Sequence, residues 1–281
     1  MELRTDNRNI PKPPRTGSQS AARALSVLDL LGDASEELGV REIARRLGLA
    51  PSIVQRLIQT LSQYGYIEHA PGGQKYRIGY RAFQVGRGYL AHSDLHAVSL
   101  PELRGMAERD QINAFLGVLR DRSIVYLEAL QSRGPITIVS APGSRAWLHS
   151  TAFGKALLAA ASDEEAAALL GPEPFHRLTA KTKTTLAELM NDLRDVRRTG
   201  YSVSDEENID NVFAAGAVIR DATGQAIASL SGAVPRHQLD DAGIENLCRI
   251  VMAAADRISR RLGAAPQQIA RPPRQTPSES L

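Results

Sequence analysis

The chain has little cysteine, few aromatic residues and no long apolar run. Cys248 is its only cysteine. An intrachain disulfide framework and a cysteine zinc cluster are both excluded, and a reducing, cytoplasmic setting is expected. Aromatic residues make up 5% of the 281 positions. Any core must therefore be built mainly of Ala, Leu, Ile and Val. No stretch reaches the roughly 18 consecutive apolar residues of a membrane-spanning helix. The polar N-terminus lacks the apolar segment of a secretory signal. The six histidines are scattered without metal-ligand spacing, so neither a metal nor a cofactor is expected.

What is present is a chain 43% hydrophobic and 23% charged, enough to bury a core, and long enough for two domains. The net charge of +3 lies wholly in residues 1–80; residues 81–281 balance. A basic segment suits a nucleic-acid partner, because cationic side chains displace counterions from phosphates. It also suits a merely solvated domain.

Pro11, Pro13, Pro14 and Gly17 mark residues 1–17 as a disordered tail, and Pro266, Pro272, Pro273 and Pro277 mark 266–281 as another. Between them, Ser18 caps a helix with Leu25, Val27, Leu28, Leu30 and Leu31 as apolar positions. A second helix runs from Gly39 to Leu47 and is stopped by Gly48. Pro51 opens a third, which carries Val54, Leu57, Ile58 and Leu61 inward and stops at Gly65. Two short strands, 66–69 and 75–78, flank the turn Pro71-Gly72-Gly73. A helix, a tight turn, a helix and a hairpin over 18–79 form a winged helix-turn-helix. The third helix leaves Ser52, Gln55, Arg56 and Gln59 outward, side chains that can reach base edges or phosphates, and Lys75 lies beside the hairpin tip.

Residues 80–96 read as a linker helix, and Pro101–Arg109 as a further helix. Strands are expected at Asn113–Leu119, Ser123–Leu130, Ile136–Ser140, Tyr201–Val203, Ala214–Arg220 and Ala226–Ser231. Helices are expected around Lys155–Ala161, capped by Ser150 or Thr151, and at Asp163–Leu170, Thr185–Thr199 and Asp240–Leu262. This mixture gives an α+β or α/β sensor-like domain over 97–265.

Ordered motifs run along nearly all of this span. The first domain has Arg23-Ala-Leu25, Val27-Leu-Asp-Leu-Leu31, Glu42-Ile-Ala44, Leu47-Gly-Leu49, Ser52 to Leu61, Gly65-Tyr-Ile67 and Tyr76-Arg-Ile-Gly79. The second has Leu148-His-Ser-Thr-Ala152, Gly154-Lys-Ala-Leu-Leu-Ala159, Gly200-Tyr-Ser202, Asp205-Glu-Glu207, Arg220-Asp221 and Ala228-Ser-Leu-Ser231. In this series over 18–263 the chain resembles the IclR family of bacterial transcription regulators.

The resemblance implies a winged helix-turn-helix, a linker helix and a GAF-like effector-binding domain. It implies a homodimer, often a dimer of dimers, on a palindromic double-stranded operator, acting as repressor or activator under a small organic or aromatic acid. Carried onto this sequence, the DNA-binding set is Arg23, Arg41, Pro51, Ser52, Ile53, Gln55, Arg56 and Lys75. The effector cup is Ala152, Phe153, Gly154, Ser204, Ala214, Ser231 and Ala233, with Trp147 beside it. Helix-start amides at 152–154 suit a carboxylate, and Phe153 and Trp147 offer ring surface, although for each taken alone plain core packing is the favoured reading.

Several positions depart from the family. Pro51 and Ile53 stand where Lys and Thr are frequent, and Gln55 where His or Tyr is. Phe153 replaces a small residue, and Ser204 stands where Asp can occur. Asn211 replaces a usual glycine, a turn position that asparagine tolerates. Val218 stands where proline is common.

Lys155, the Asp205-Glu206-Glu207 trio and His149 beside Ser150 invite catalytic readings. Neighbours on one segment rarely provide a nucleophile, a base and an oxyanion site together. Lys155 is expected to be solvated or ion-paired, and the trio to cap a turn or hold a dimer. The expectation is a regulator with no catalytic residue; the alternative is a metabolic enzyme fused to a nucleic-acid-binding module.

Overall fold

The structure, a computed structural model, describes residues 17–91, 93–133 and 140–265. Apart from Gly17 and Ser140, the two expected tails and the expected strand Ile136–Ser140 lie outside the described residues. The chain divides into two compact units at Ser93/Asp94.

The first unit holds helices α1 (Gln19–Asp33), α2 (Val40–Leu47) and α3 (Pro51–Gln63), strands β1 (Ile67–His69) and β2 (Tyr76–Ile78), and helix α4 (Tyr80–Ala91). The Ser18 hydroxyl accepts from the Ala21 amide and starts α1. Gly48, at φ 64°, ends α2 in the left-handed conformation, and the chain turns straight into Pro51 at the head of α3. Val27, Leu30, Ile43, Val54, Ile58, Leu61 and Ile67 form one buried cluster with Tyr76. The wing gains a third edge: Leu38 and Tyr76 exchange both backbone hydrogen bonds.

The helix read over 80–96 is not one helix. α4 ends at Ala91 and α5 (Asp94–Glu108) begins before the expected Pro101, which lies inside it. Ser93 followed by an acidic first turn at Asp94 is a helix-start signal in the sequence.

The second unit continues with β3 (Asn113–Arg120), β4 (Ser123–Leu130), β5 (Arg145–Ala146), α6 (Ala152–Ala159), α7 (Asp163–Leu170), α8 (Leu186–Thr199), β6 (Ser202–Asp205), β7 (Val212–Arg220), β8 (Ala226–Pro235) and α9 (Asp241–Arg261). The six strands form one sheet in the order β5-β4-β3-β8-β7-β6, with every neighbouring pair antiparallel. A Cβ on Gly232 would meet Ile112, Met106 and Val251, so that face packs on α5 and α9. A Cβ on Gly216 would meet the backbone of Ala152 and Phe153, so the opposite face lies under α6. There, α6 and α8 enclose a core of Phe115, Tyr126, Leu148, Phe153, Leu158, Leu189 and Leu193. Each such fully buried side chain contributes roughly 1.5–3 kcal/mol.

Candidate functional site

On α3 the apolar residues point inward and leave Ser52, Gln55, Arg56 and Gln59 on one exposed face. Pro51 is exposed at its start, while Ile53 is half-buried at its edge. Arg41 is exposed on α2, Lys75 at the wing, and Arg23 is half-buried on α1. Not every arginine here is free. Glu42 binds Arg45 through two hydrogen bonds and also Arg46, and those contacts, Arg45 first, hold its carboxyl at about 2. Arg77 is tied to Glu68 across the wing strands at 2.9 Å. Arg41, Arg56 and Lys75 make no ion pair with any described residue. These cations keep their charge for a phosphate or a base edge.

In the second unit, the sheet face beneath α6 brings the expected effector residues together. Ser204 stands opposite Ala214, Ala214 opposite Ala233, and Ala233 opposite Asn113. The adjoining row is Ser202, Gly216, Ser231 and Phe115. The Ser204 hydroxyl donates to the Ser150 carbonyl at 2.7 Å, which places the approach to α6 above the first row. The helix starts over Gly216 and proceeds toward Gly117, where the Phe153 ring packs. Its open end therefore faces the row of small residues.

Thr151 caps α6: its hydroxyl accepts from the Gly154 amide at 3.2 Å. The amides of Ala152 and Phe153 have no acceptor among the described residues. Ala152, Phe153, Gly154, Ser204, Ser231 and Ala233 are buried, and Ala214 is half-exposed. Asn113, which sequence reasoning missed, completes the row. Its side-chain amide donates to the Ala233 carbonyl at 3.2 Å, and its oxygen accepts from the Ser132 amide at 3.1 Å.

The two rings take different places. The Phe153 side chain belongs to the core: it lies edge-on to Tyr126 with centroids 5.1 Å apart and fills the space above Gly117. Only its backbone faces the row. Trp147 is half-buried and stacks on His176 at 5.1 Å.

The catalytic temptations dissolve in the geometry. His149 is buried, and its Nε2 lies 2.9 Å from the His176 carbonyl, so that nitrogen carries a proton; burial lowers the ring's pKa and favours the neutral form. The Ser150 hydroxyl donates to Asn208 instead, at 2.9 Å. Lys155 is not solvated. It is fully buried, with Nζ 2.8 Å from Asp192 and 2.7 Å from Glu207, and Lys183 also pairs with Asp192. A lysine within the otherwise apolar α6 needs such partners, which is the sequence signal for this cluster. Burial raises the Glu207 carboxyl. For Asp192, burial also raises it, but Lys155 and Lys183 outweigh that and hold it below its ordinary value. Of the rest of the acidic trio, Asp205 pairs with Arg236 at 3.0 Å, and Glu206 turns the chain at φ 59° while pairing with Lys181. Asn211 adopts φ 61°, as its place in a turn requires.

Among the described residues, no group of three or more His, Cys, Asp or Glu side chains could hold a metal ion. Among the same residues, no helix is long and apolar enough to cross a membrane.

Comparison with known proteins agrees with this architecture. Residues 20–71 match the IclR helix-turn-helix domain, and residues 87–260 match the bacterial transcriptional regulator IclR C-terminal family. The chain is 33% identical over 252 residues to the HTH-type transcriptional regulator BhcR of Paracoccus denitrificans, covering 90% of this chain and 89% of that one. It is 31% identical to the regulator XynR of Escherichia coli, covering 87% and 97%. An IclR homologue from Microbacterium hydrocarbonoxydans, solved in complex with 4-hydroxybenzoate, superposes with a TM-score of 0.74 at 26% identity, covering 88% of this chain and all of that one. These relatives are regulators, and nothing among them supports the fused-enzyme alternative. The chain belongs to the IclR family: it is a DNA-binding transcription regulator, not an enzyme, and its second unit is the ligand-responsive domain.

Proposed function

We propose that the chain acts in the cytoplasm as a homodimer on a palindromic operator of catabolic genes, and that a small organic or aromatic acid controls it. The DNA-binding domain spans 18–79, with Arg23, Arg41, Pro51, Ser52, Ile53, Gln55, Arg56 and Lys75 at the duplex. The effector domain runs from α5 to about residue 265. The observation that carries the acid is the pair of unaccepted amides, Ala152 and Phe153, at a helix start facing Ser204, Ala214, Ala233 and Asn113. Such amides and the helix dipole favour an anion. The 4-hydroxybenzoate held by the Microbacterium homologue is an acid of this kind.

Dimerisation is supported by Leu25, Tyr64, Tyr80, Phe83, Val85 and Tyr89, large apolar side chains of the first unit that are all more than half exposed. Two half-sites related by a twofold axis need a twofold protein. An acid can regulate only through different affinities for the DNA-competent and incompetent states.

The test is calorimetry of the full-length protein with a panel of organic and aromatic acids, followed by operator titration with each binder. A binder should shift operator affinity and be recovered unchanged, and Ala214→Phe should abolish the response. Loss of neither binding nor response in Ala214→Phe removes the cup from the proposal. Sedimentation at micromolar concentration tests the dimer; a strict monomer with full operator affinity contradicts it.

A further inference from the structure

Helices α5 and α9 cover the sheet face opposite α6, and the surface where they meet carries a groove of about 350 Å³. Three guanidiniums line it: Arg109, just past the end of α5, and Arg249 and Arg257 of α9. All three are exposed. Asp110 is the only carboxylate in the lining, so three positive charges face one negative. The apolar part of the lining is Ile250 and Ala253, both half-buried.

Each guanidinium is held along one edge and open along another. Arg109 donates through Nε and Nη2 to the two oxygens of Asp110, at 3.0 and 2.8 Å. Arg257 donates through Nε and Nη2 to Glu102, at 3.0 and 2.7 Å. Arg261 lies 4.0 Å from the other oxygen of Glu102, so two cations share that one charge. Arg249 donates through Nη2 to the Asn246 side-chain oxygen. The Nη1 group of each of the three makes no hydrogen bond with any described residue. A guanidinium already fixed by a partner loses less freedom when its remaining N–H groups bind a ligand.

A carboxylate presents two oxygens in one plane and fits a single guanidinium edge. A phosphate monoester presents three terminal oxygens in different directions and carries close to two negative charges at neutral pH. Three separate Nη1 groups around one groove match the second. We propose that this groove is a second ligand site, for a small phosphorylated metabolite. Arg109, Arg249 and Arg257 hold its phosphate, and its carbon body lies against Ile250 and Ala253. The site shares no residue with the acid cup and lies on the other face of the sheet. α5 opens the second unit and follows α4, the last helix of the first. A ligand that ties the end of α5 to α9 therefore acts on the helix to which the DNA-binding unit is attached, and gives the regulator a second input.

The experiment is titration calorimetry of the full-length protein with glycerol 3-phosphate, inorganic phosphate, glycerol and succinate. The ester should bind about tenfold or more tightly than succinate, and glycerol should give no signal. Arg249→Ala and Arg257→Ala should each weaken the ester by about tenfold, and Arg249→Lys, which keeps the charge but not the fork, should restore only part. Arg249→Ala leaves both carboxylate pairs intact, so its fold is not at issue. Ala214→Phe, which fills the acid cup, and Arg56→Ala on the DNA face should bind the ester as the wild type does. Loss of binding in either of these, with none in the α9 variants, overturns the proposal, because the phosphate then sits in the cup or where DNA does. Succinate as tight as the ester in Ala214→Phe overturns the phosphate class, and inorganic phosphate as tight as the ester overturns the metabolite in favour of the free ion. No binding of either phosphate overturns the site outright. Altered sedimentation of the α9 variants without altered ester affinity also overturns it and makes the groove a contact between copies. The acid reading stands or falls separately, on the response of Ala214→Phe to the acids.

Discussion

The carbonyl of Ala152 rests directly on Gly216: a Cβ at that glycine would lie 2.6 Å from the Ala152 carbonyl carbon and 2.7 Å from its oxygen. Backbone cannot step aside as a flexible side chain can. Gly216→Ala should therefore lift the start of α6 off the sheet and cost about 1–3 kcal/mol or more, the range for overpacking. Denaturant melts of the variant check the stability. Acid titration checks that the displaced amides bind more weakly. A variant of wild-type stability would place α6 differently.

The DNA face offers a contrast between two cations. Arg56→Ala should weaken operator binding by about 1–3 kcal/mol and relax sequence preference at one position if the guanidinium reads a guanine. Lys75→Ala at the wing should weaken binding to all sequences alike and reduce the salt slope by about one phosphate. Fluorescence titrations at several salt concentrations separate the two. Unchanged affinity for the natural operator would remove Arg56 from the interface.

The buried cluster predicts a pH signature with two opposite limbs. Burial raises Glu207 above its ordinary 4.5, so it holds its proton more tightly folded than unfolded, and its contribution to stability declines as pH rises past that value. Asp192 is lowered below 3.8, so its contribution is present above that value and is lost as pH falls. Glu207→Gln should erase the first limb and keep the second. Lys155→Met leaves both carboxylates with Lys183 alone and should cost about 3–5 kcal/mol at neutral pH. Urea melts between acid and neutral pH read both.

Cys248 sits in the buried face of α9, and burial pushes its thiol up to about 12. The folded protein should be inert to maleimide at neutral pH and react promptly in denaturant. Labelling of the native protein as fast as of the unfolded one would contradict the packing of α9 on the sheet.

Much of this architecture could be read from local chemistry. Ser18, Gly48, Pro51 and Gly65 punctuate the first unit where the structure begins and ends its helices, because caps and stops act within one turn. β4 matches its expected bounds, Ser123–Leu130. α6 begins at Ala152, ahead of the expected Lys155, because Thr151 supplies the cap. The two-residue β5 carries too short a pattern to detect. At the site, Ser204, Ala214 and Ala233 were named through resemblance, yet their alignment in one row with Asn113 depends on strand pairing between distant segments. Lys155 was expected to be solvated or ion-paired, but its partners were equally out of reach, since Asp192 and Glu207 lie 37 and 52 residues away.

The central pairing of the sheet joins β3 to β8, and the Asn113–Ala233 contact spans 120 residues. During synthesis, β3 must wait for nearly the whole chain to leave the ribosome before its neighbour exists. The helix-turn-helix unit, whose partners all lie before Ser93, can fold while that wait continues. Long-range pairing of this kind is slow, and until β8 arrives β3 has only β4 beside it and an unpaired edge open to other chains. A chain truncated before β8 would thus carry a finished DNA-binding unit on an aggregation-prone remnant.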